Sequence, residues 1–214
     1  EYVVNELKRD PDSRRAVMHL RVPDDSIDAK LDVPCTLALQ FFIRDNKLHQ
    51  VVNMRSSDLV FGIAYDIPAF TIFQEMIANE VGADVGTYTH TSNSLHIYEK
   101  HFGMVEDILK SDSIKTSRLM HKNHGPMPPL TGDIEDTFLS VKKLCSFEEE
   151  LQSCQDMSRI EDALIKFYPS WLSSPGKFRD WALVLTAARL RKIGLKKSAS
   201  QIIRSASFSG YYFN

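Results

Sequence analysis

Four groups of residues in the first hundred positions have types and spacings suited to chemistry. Asp12-Ser13-Arg14-Arg15 sets two adjacent guanidinium groups just after a turn. In a strand the pair points to opposite faces, so one faces solvent while the other is free to meet an anion; a solvated turn with two surface charges is the plainer reading. Cys35 stands between Pro34 and Thr36 at a strand start. A lone cysteine is usually a small buried hydrophobe, and only an electropositive neighbourhood that favours the thiolate makes it a nucleophile. Met54-Arg55-Ser56-Ser57-Asp58, followed by Gly62 and Tyr65-Asp66, combines a guanidinium fork, two hydroxyls and a carboxylate beside a glycine, a set that can ligate a phosphate. Ser94-Leu95-His96-Ile97-Tyr98 puts His96 and Tyr98 on one face of an extended segment, which suits a sugar hydroxyl or, alternatively, a satisfied core pair.

The elements that must position these groups follow from periodicity and punctuation. Residues 1–8 carry a short helical face at Val3, Val4 and Leu7, broken by the Asp10–Ser13 turn. Residues 16–22 read as a strand and 35–43 as a second, with a turn at Asp45-Asn46-Lys47 and a returning strand over 47–54: a meander. Residues 68–81 form the clearest buried helix, with Ile72, Phe73, Met76, Ile77 and Glu80 at helical spacing, Pro68 in its first turn and Gly82 at its end. Residues 86–91 are strand-like, and His96–Tyr98 lead into an amphipathic helix bearing Phe102, Val105, Ile108 and Leu109.

The chain changes character after Lys110. Residues 111–135, rich in Ser, Lys, His and Pro, read as a long loop. From Phe147 onward the pattern is helical. Ser158 and Glu161 form a capping-box signature; Trp181, Val184, Leu185, Ala188 and Ile193 form one apolar stripe; Pro169 and Ser173–Gly176 separate the helices. Cys145 and Cys154 read as structural, and Arg189, Arg191, Lys192, Lys196 and Lys197 as a solvated basic helix end. The expected architecture is an α/β (α+β) body with a mixed sheet and packed helices over 1–135, and a helical C-terminal extension over 136–214.

Hydrophobic residues make up 43% of the 214 and charged residues 25%, which is too apolar for a disordered chain. Lys and Arg total 26 against 28 Asp and Glu, a net charge of −2 that leaves no footprint of a nucleic-acid or anionic-membrane binder. Three cysteines without CxxC spacing argue against a disulfide framework or structural zinc, so no metal is expected and a cytoplasmic location is. The chain opens on Glu1-Tyr2 rather than Met, the start of a processed product or of a piece of a longer protein.

Taken together, the strings VPCTLALQFFIRDNKLHQVVNMRSSDLVFGIAYDI and GTYTHTSNSLHIYEKH, with PDSRR upstream, resemble the thymidylate synthase family. The resemblance covers about residues 1–110 in the family's order and spacing, without the family's N-terminal part. VVNMRSSDLVFG is most similar to the phage deoxycytidylate hydroxymethylase branch. Beyond residue 111 only Pro126–Leu130 is a faint echo.

The resemblance implies a covalent mechanism. A Cys thiolate adds to C6 of a pyrimidine nucleotide, making C5 the carbon nucleophile that attacks the one-carbon unit of 5,10-methylenetetrahydrofolate. Cys35 matches that nucleophile. Arg55 and Ser56 match phosphate ligands of the same subunit, and Arg14 and Arg15 the pair that crosses a two-fold axis into the partner's site, which implies a homodimer. His96 and Tyr98 match the residues that hold the ribose 3′-hydroxyl. Asp58 matches a position at the nucleotide–folate junction, and Gly62 the close-approach glycine after it.

Asp66 departs from the pattern. Enzymes acting on deoxyuridylate carry Asn there, whose amide complements O4 and N3–H of uracil. A carboxyl accepts from the C4 amino group of cytosine and, when protonated, donates to N3, so Asp66 points to a cytosine nucleotide. Thr36 in place of the frequent His, and Met54 in place of the frequent Gln, also loosen the analogy with a methylating synthase. The implied activity is (deoxy)cytidylate 5-hydroxymethylation; thymidylate synthesis from dUMP and a non-catalytic nucleotide- or partner-binding role are the alternatives.

Overall fold

The computed structural model describes residues 1–23, 33–111, 130, 134–167 and 177–205, which fall into two compact units, 1–111 and 112–214. In the first, helix α1 (Tyr2–Arg9) buries Val3, Val4, Glu6 and Leu7. Strands β1 (Val17–His19), β2 (Thr36–Arg44) and β3 (Lys47–Met54) pair antiparallel in sequence order, as the meander predicts. The hairpin turns on Asp45 and Asn46, with φ of 50° and 59°. A two-residue hairpin needs two left-handed residues to match strand twist, and Asp and Asn tolerate that conformation best after glycine.

Helix α2 (Gly62–Val81) begins six positions before the expected start, so Pro68 lies inside it rather than in its first turn. Proline's fixed φ is helical, and its missing N–H removes one ladder bond without ending the helix. Gly82 caps the helix at φ 72° as expected. Gln74, whose amide donates to the Leu48 and Thr87 carbonyls, faces the sheet; Phe70, Met76, Ile77 and Ala78 are also buried, and Ile72 and Phe73 only partly so.

Strand β5 (Asp84–Ser92) pairs with β3 in parallel, giving a mixed sheet of order β1-β2-β3-β5 with α2 as the crossover. A Cβ on Gly86 would lie 2.8 Å from the Leu48 carbonyl oxygen, so only glycine fits where the register shifts. Short strands β4 (Ser57–Asp58) and β6 (Leu95–His96) form a separate parallel pair. A 3₁₀ turn (Glu99–His101) leads into α3 (Phe102–Lys110), the helix expected there, but none of its residues is buried.

The helices cover one face of the sheet, burying Leu39, Phe41, Leu48, Gln50, Val52 and Met54. On the other face, Thr87, Thr89 and Thr91 are exposed and Gln40, Phe42, His49 and Val51 partly so, with Phe42 stacked on His49 at 5.3 Å. Within this unit no described element covers that face.

The second unit is helical: α4 (Ile134–Ser153), α5 (Met157–Phe167), α6 (Lys177–Lys192) and α7 (Lys196–Arg204). The helical pattern thus starts at Ile134, within the expected loop, most of which lies outside the described residues, as do Pro169 and Ser173–Gly176. Phe147, Leu151, Ile160, Leu164, Leu190 and Ile203 share one core. Helix α5 is capped by Asp156, whose carboxylate accepts from the Arg159 N–H at 3.0 Å, so Ser158 lies inside the helix and is not the cap. The buried stripe of α6 is Ala182, Leu183, Thr186, Ala187 and Leu190, whereas Ala188 is exposed and Trp181 partly buried. Residues 181–188 of that helix are apolar but for Thr186, so periodicity alone does not select the buried stripe. Cys154 is buried in this core and Cys145 exposed. Among the described residues no helix is long and apolar enough to cross a membrane.

Candidate active site

Strand ends gather most of the chemistry-bearing residues. Thr36 pairs with Met54, and one step further the Arg55 N–H donates to the Cys35 carbonyl oxygen at 2.9 Å. Cys35, exposed, and Arg55 therefore face each other at the end of the β2–β3 ladder. The Arg55 guanidinium donates from Nε to the Pro34 carbonyl at 3.1 Å and from Nη2 to that of Val33 at 2.8 Å. β5 ends level with β3, the Asn93 N–H reaching the Met54 carbonyl at 3.1 Å.

The β4–β6 pair continues from there. Asp58 lies opposite His96, and Ser56 Oγ is 3.3 Å from His96 Nδ1. The His96 and Tyr98 rings meet edge to face at 4.9 Å, as their spacing in an extended segment predicts. The Asp58 carboxylate then accepts N–H bonds from Val60 and Phe61, both at 3.1 Å, at the start of α2. Burial pushes this carboxyl up, but the N–H groups of Val60, Phe61 and Gly62 outweigh it, helped by the charge of His101, and hold it below the usual carboxylate range. A Cβ on Gly62 would lie 3.3 Å from Asp58 Cβ and 4.0 Å from Asp66 Oδ2, so Gly62 lies close between two carboxyl side chains.

Asp66, one helical turn beyond Gly62, is partly buried. Burial pushes its carboxyl above the ordinary value, and the charge of His90 pulls it back. Tyr88 and His90, which sequence reasoning missed, lie near enough to interact with its charge. They alternate on β5 toward α2, with Tyr88 Oη 2.8 Å from His90 Nδ1 and His90 Nε2 3.5 Å from Ser57 Oγ. Burial and the Asp66 charge push the Tyr88 hydroxyl up to about 12. The alternation of GTYTHT was the available signal.

Arg14 and Arg15 stand apart from this group. They lie in the irregular segment before β1 rather than in a strand, and both are exposed, so neither is turned inward. The Arg14 carbonyl meets the Gln40 amide at 3.5 Å, which puts the pair beside position 40 of β2, roughly 17 Å of extended strand from position 35 at ~3.4 Å per residue. Their backbone is nonetheless pinned. Buried Ser13 donates to Glu6 at 2.6 Å, the Arg15 N–H donates to Ser13 Oγ at 3.1 Å, and Tyr2 Oη donates to the Arg15 carbonyl at 3.2 Å. The hydrogen bonds from Arg9 and Ser13 hold the Glu6 carboxyl below its ordinary value.

Beside Asp58 is an aromatic cluster that sequence reasoning also passed over. Phe61 stacks on Tyr65 at 6.4 Å and meets His101 edge-on at 4.9 Å; His101 lies 6.1 Å from Tyr98. Alternation cannot find it, because the rings come from a helix start, a strand end and a 3₁₀ turn.

A family model described as thymidylate synthase matches residues 1–135. The chain belongs to the thymidylate synthase family. Among solved structures it is similar to a thermostable thymidylate synthase A from Bacillus subtilis, at 30% identity and a TM-score of 0.48, over 51% of this chain and 39% of that one. The chain thus spans well under two thirds of that family member's length. Cys35, Arg55–Asp58, Gly62, Asp66 and His96–Tyr98, spread over sixty positions, thus lie around one end of the sheet.

Proposed function

We propose that the protein transfers a one-carbon unit from 5,10-methylenetetrahydrofolate to C5 of a pyrimidine nucleoside monophosphate, and that the base is cytosine, giving a 5-hydroxymethyl (deoxy)cytidylate. The observation that carries the choice of base is Asp66: a partly buried carboxyl, pushed upward by burial, where family members acting on uracil carry Asn. A carboxyl that holds its proton can accept from the C4 amino group and donate to N3.

In this reading Cys35 Sγ, exposed at the strand end, bonds to C6 while the C5–C6 π pair moves onto C5. Arg55 and Ser56 bind the phosphate, and His96 and Tyr98 the sugar. Asp58, kept ionised by its N–H donors, holds the start of α2 and with it Gly62 and Asp66 in register with the base. The exposed rings of Phe61 and Tyr65 offer the flat apolar surface that a pterin ring fits. The folate, when bound there, would supply the one-carbon unit at the methylene level and depart as tetrahydrofolate; the C5 proton is lost, water supplies the hydroxyl, and the Cys35–C6 bond breaks to release product.

The second copy follows from two features. Arg14 and Arg15 are held by their backbone yet lie far from Cys35 of their own chain, and the sheet face beside them that no described element of this unit covers is partly apolar. A two-fold partner seated on that face would receive the pair reciprocally, making the protein a homodimer. Residues 1–135 are then the catalytic core and 136–214 a helical extension. Release of tritium from C5 of dCMP, CMP and dUMP tests the reading. Release from a cytosine nucleotide supports it; release from dUMP alone makes the enzyme a thymidylate synthase proper.

A further inference from the structure

Aromatic rings are costly to leave in water, yet three stand exposed beside the β4–β6 pair: Phe61 at 43%, Tyr98 at 52% and Tyr65 at 70%. They belong to two ring pairs. Phe61 stacks on Tyr65 at the start of α2, at 6.4 Å, and Tyr98 meets His96 edge to face beyond β6, at 4.9 Å. His101 joins the two pairs. Its imidazole meets the Phe61 ring at 4.9 Å and 79°, and the Tyr98 ring at 6.1 Å and 88°. Both contacts have the edge-to-face geometry that the negative face and positive edge of a ring favour.

The backbones that carry these rings are tied to one another. The His101 N–H donates to the Tyr98 carbonyl oxygen at 2.9 Å, and the Leu59 N–H to that of His96 at 2.8 Å. The Phe61 N–H donates to Asp58 Oδ2 at 3.1 Å. Main-chain bonds thus place Phe61, but only ring contacts set how its side chain is turned, and the contact with His101 is closer than the one with Tyr65. Nor does His101 owe its place to a hydrogen bond at Nδ1. That nitrogen is buried with no partner among the described residues, an unfavourable state. What the residue contributes to this cluster is its ring.

Deepening the reading under Proposed function, on which it rests, we propose that His101 is a positioning residue for the folate. It touches neither ligand; it fixes the orientation of the Phe61 ring on which the pterin would lie, and ties that surface to the Tyr98 ring of the sugar-binding pair.

The test is equilibrium binding of tetrahydrofolate, which carries no one-carbon unit to transfer, to the full-length protein at saturating dCMP. Inorganic phosphate binding serves as the control and thermal melting confirms folding. H101L, which fills the space without an aromatic edge, is expected to weaken tetrahydrofolate by about five- to tenfold, the worth of one aromatic edge contact. Phosphate affinity stays unchanged, and H101F, which restores a ring, recovers the tetrahydrofolate affinity. F61L with H101L should lose no more than F61L alone, because His101 acts through Phe61. Equal weakening of tetrahydrofolate and phosphate would show a merely structural role. Unchanged tetrahydrofolate affinity in folded H101L, no recovery in folded H101F, or additive losses in the double variant overturn the proposal and leave the cytosine reading intact. A wild-type protein that binds dCMP but not tetrahydrofolate overturns the folate reading and this proposal with it.

Discussion

The Arg55 main-chain N–H donates to the Cys35 carbonyl oxygen at 2.9 Å, and the Arg55 guanidinium spans the carbonyls of Val33 and Pro34 just before it. One residue therefore closes the strand end from both backbone and side chain, and holds the segment that presents the thiol.

Replacing that fork tests the relationship. A lysine ammonium is a point charge that cannot serve two carbonyls in one plane. R55K is expected to lose about 1.5–3 kcal/mol of stability, the range for hydrogen bonds that involve a charged group, and to weaken nucleotide binding about tenfold or more. Urea unfolding and calorimetric titration with dCMP measure the two effects.

Asp58 makes the acid stability of the protein depend on the start of α2. Its carboxyl lies below the ordinary value in the folded state, so its contribution is complete above the unfolded value and is lost as pH falls through the folded one. Urea midpoints taken from neutral pH down through the carboxylate range should fall less steeply in D58A than in the wild type. The limb is softened rather than abolished, because Glu6 is lowered too. Parallel limbs would show that the Val60 and Phe61 N–H groups do not hold the charge.

Asp66 has the opposite sign. Burial raises its carboxyl, so stability is greatest below the unfolded value and declines as pH rises through the folded one. D66N removes that decline and is expected to be the more stable protein at neutral pH. It also restores an amide complementary to uracil, so the ratio of kcat/KM for dUMP to that for dCMP should rise by several orders of magnitude, toward the ~10⁴-fold that hydrogen-bonding sites can reach. Steady-state kinetics with both nucleotides decide this.

Much of this arrangement was legible in the sequence because the relevant signals are local. Strand alternation in β3, the Asp45-Asn46 turn and the spacing of His96 and Tyr98 each depend on a few neighbouring residues. What was not legible depends on distant partners. The parallel pairing of β5 with β3 is set by the α2 crossover, and no local pattern separates it from another antiparallel strand. Pro68 fits a first turn and an interior position equally in φ, and the Asp58 carboxylate, four residues before Gly62, extends the helix start upstream. In α6 residues 181–188 are apolar but for Thr186, which leaves the buried stripe to be chosen by packing. The site was read as far as the residues at the strand ends, while Tyr88 and His90 went unnoticed because strand residues with polar tips read as ordinary sheet.

Arg14 and Arg15 make the dimer testable by complementation. Taken singly, R14A/R15A and C35S are expected to be inactive, the first for want of phosphate ligands and the second for want of a nucleophile. Mixed after reversible dissociation, they form hybrid dimers in which one site has an intact thiol and intact arginines. Activity should return in the mixture. No recovery, or a monomer by sedimentation at micromolar concentration, contradicts the exchange.

The most direct measurement is the intact mass of the full-length protein after incubation with 5-fluoro-dCMP and 5,10-methylenetetrahydrofolate, followed by peptide mapping. Fluorine at C5 cannot depart as the proton does, so the covalent complex should persist. The account predicts a mass increase equal to nucleotide plus folate on the peptide containing Cys35, and none in C35S. An unmodified protein, or an adduct on the other exposed cysteine, Cys145, would contradict it.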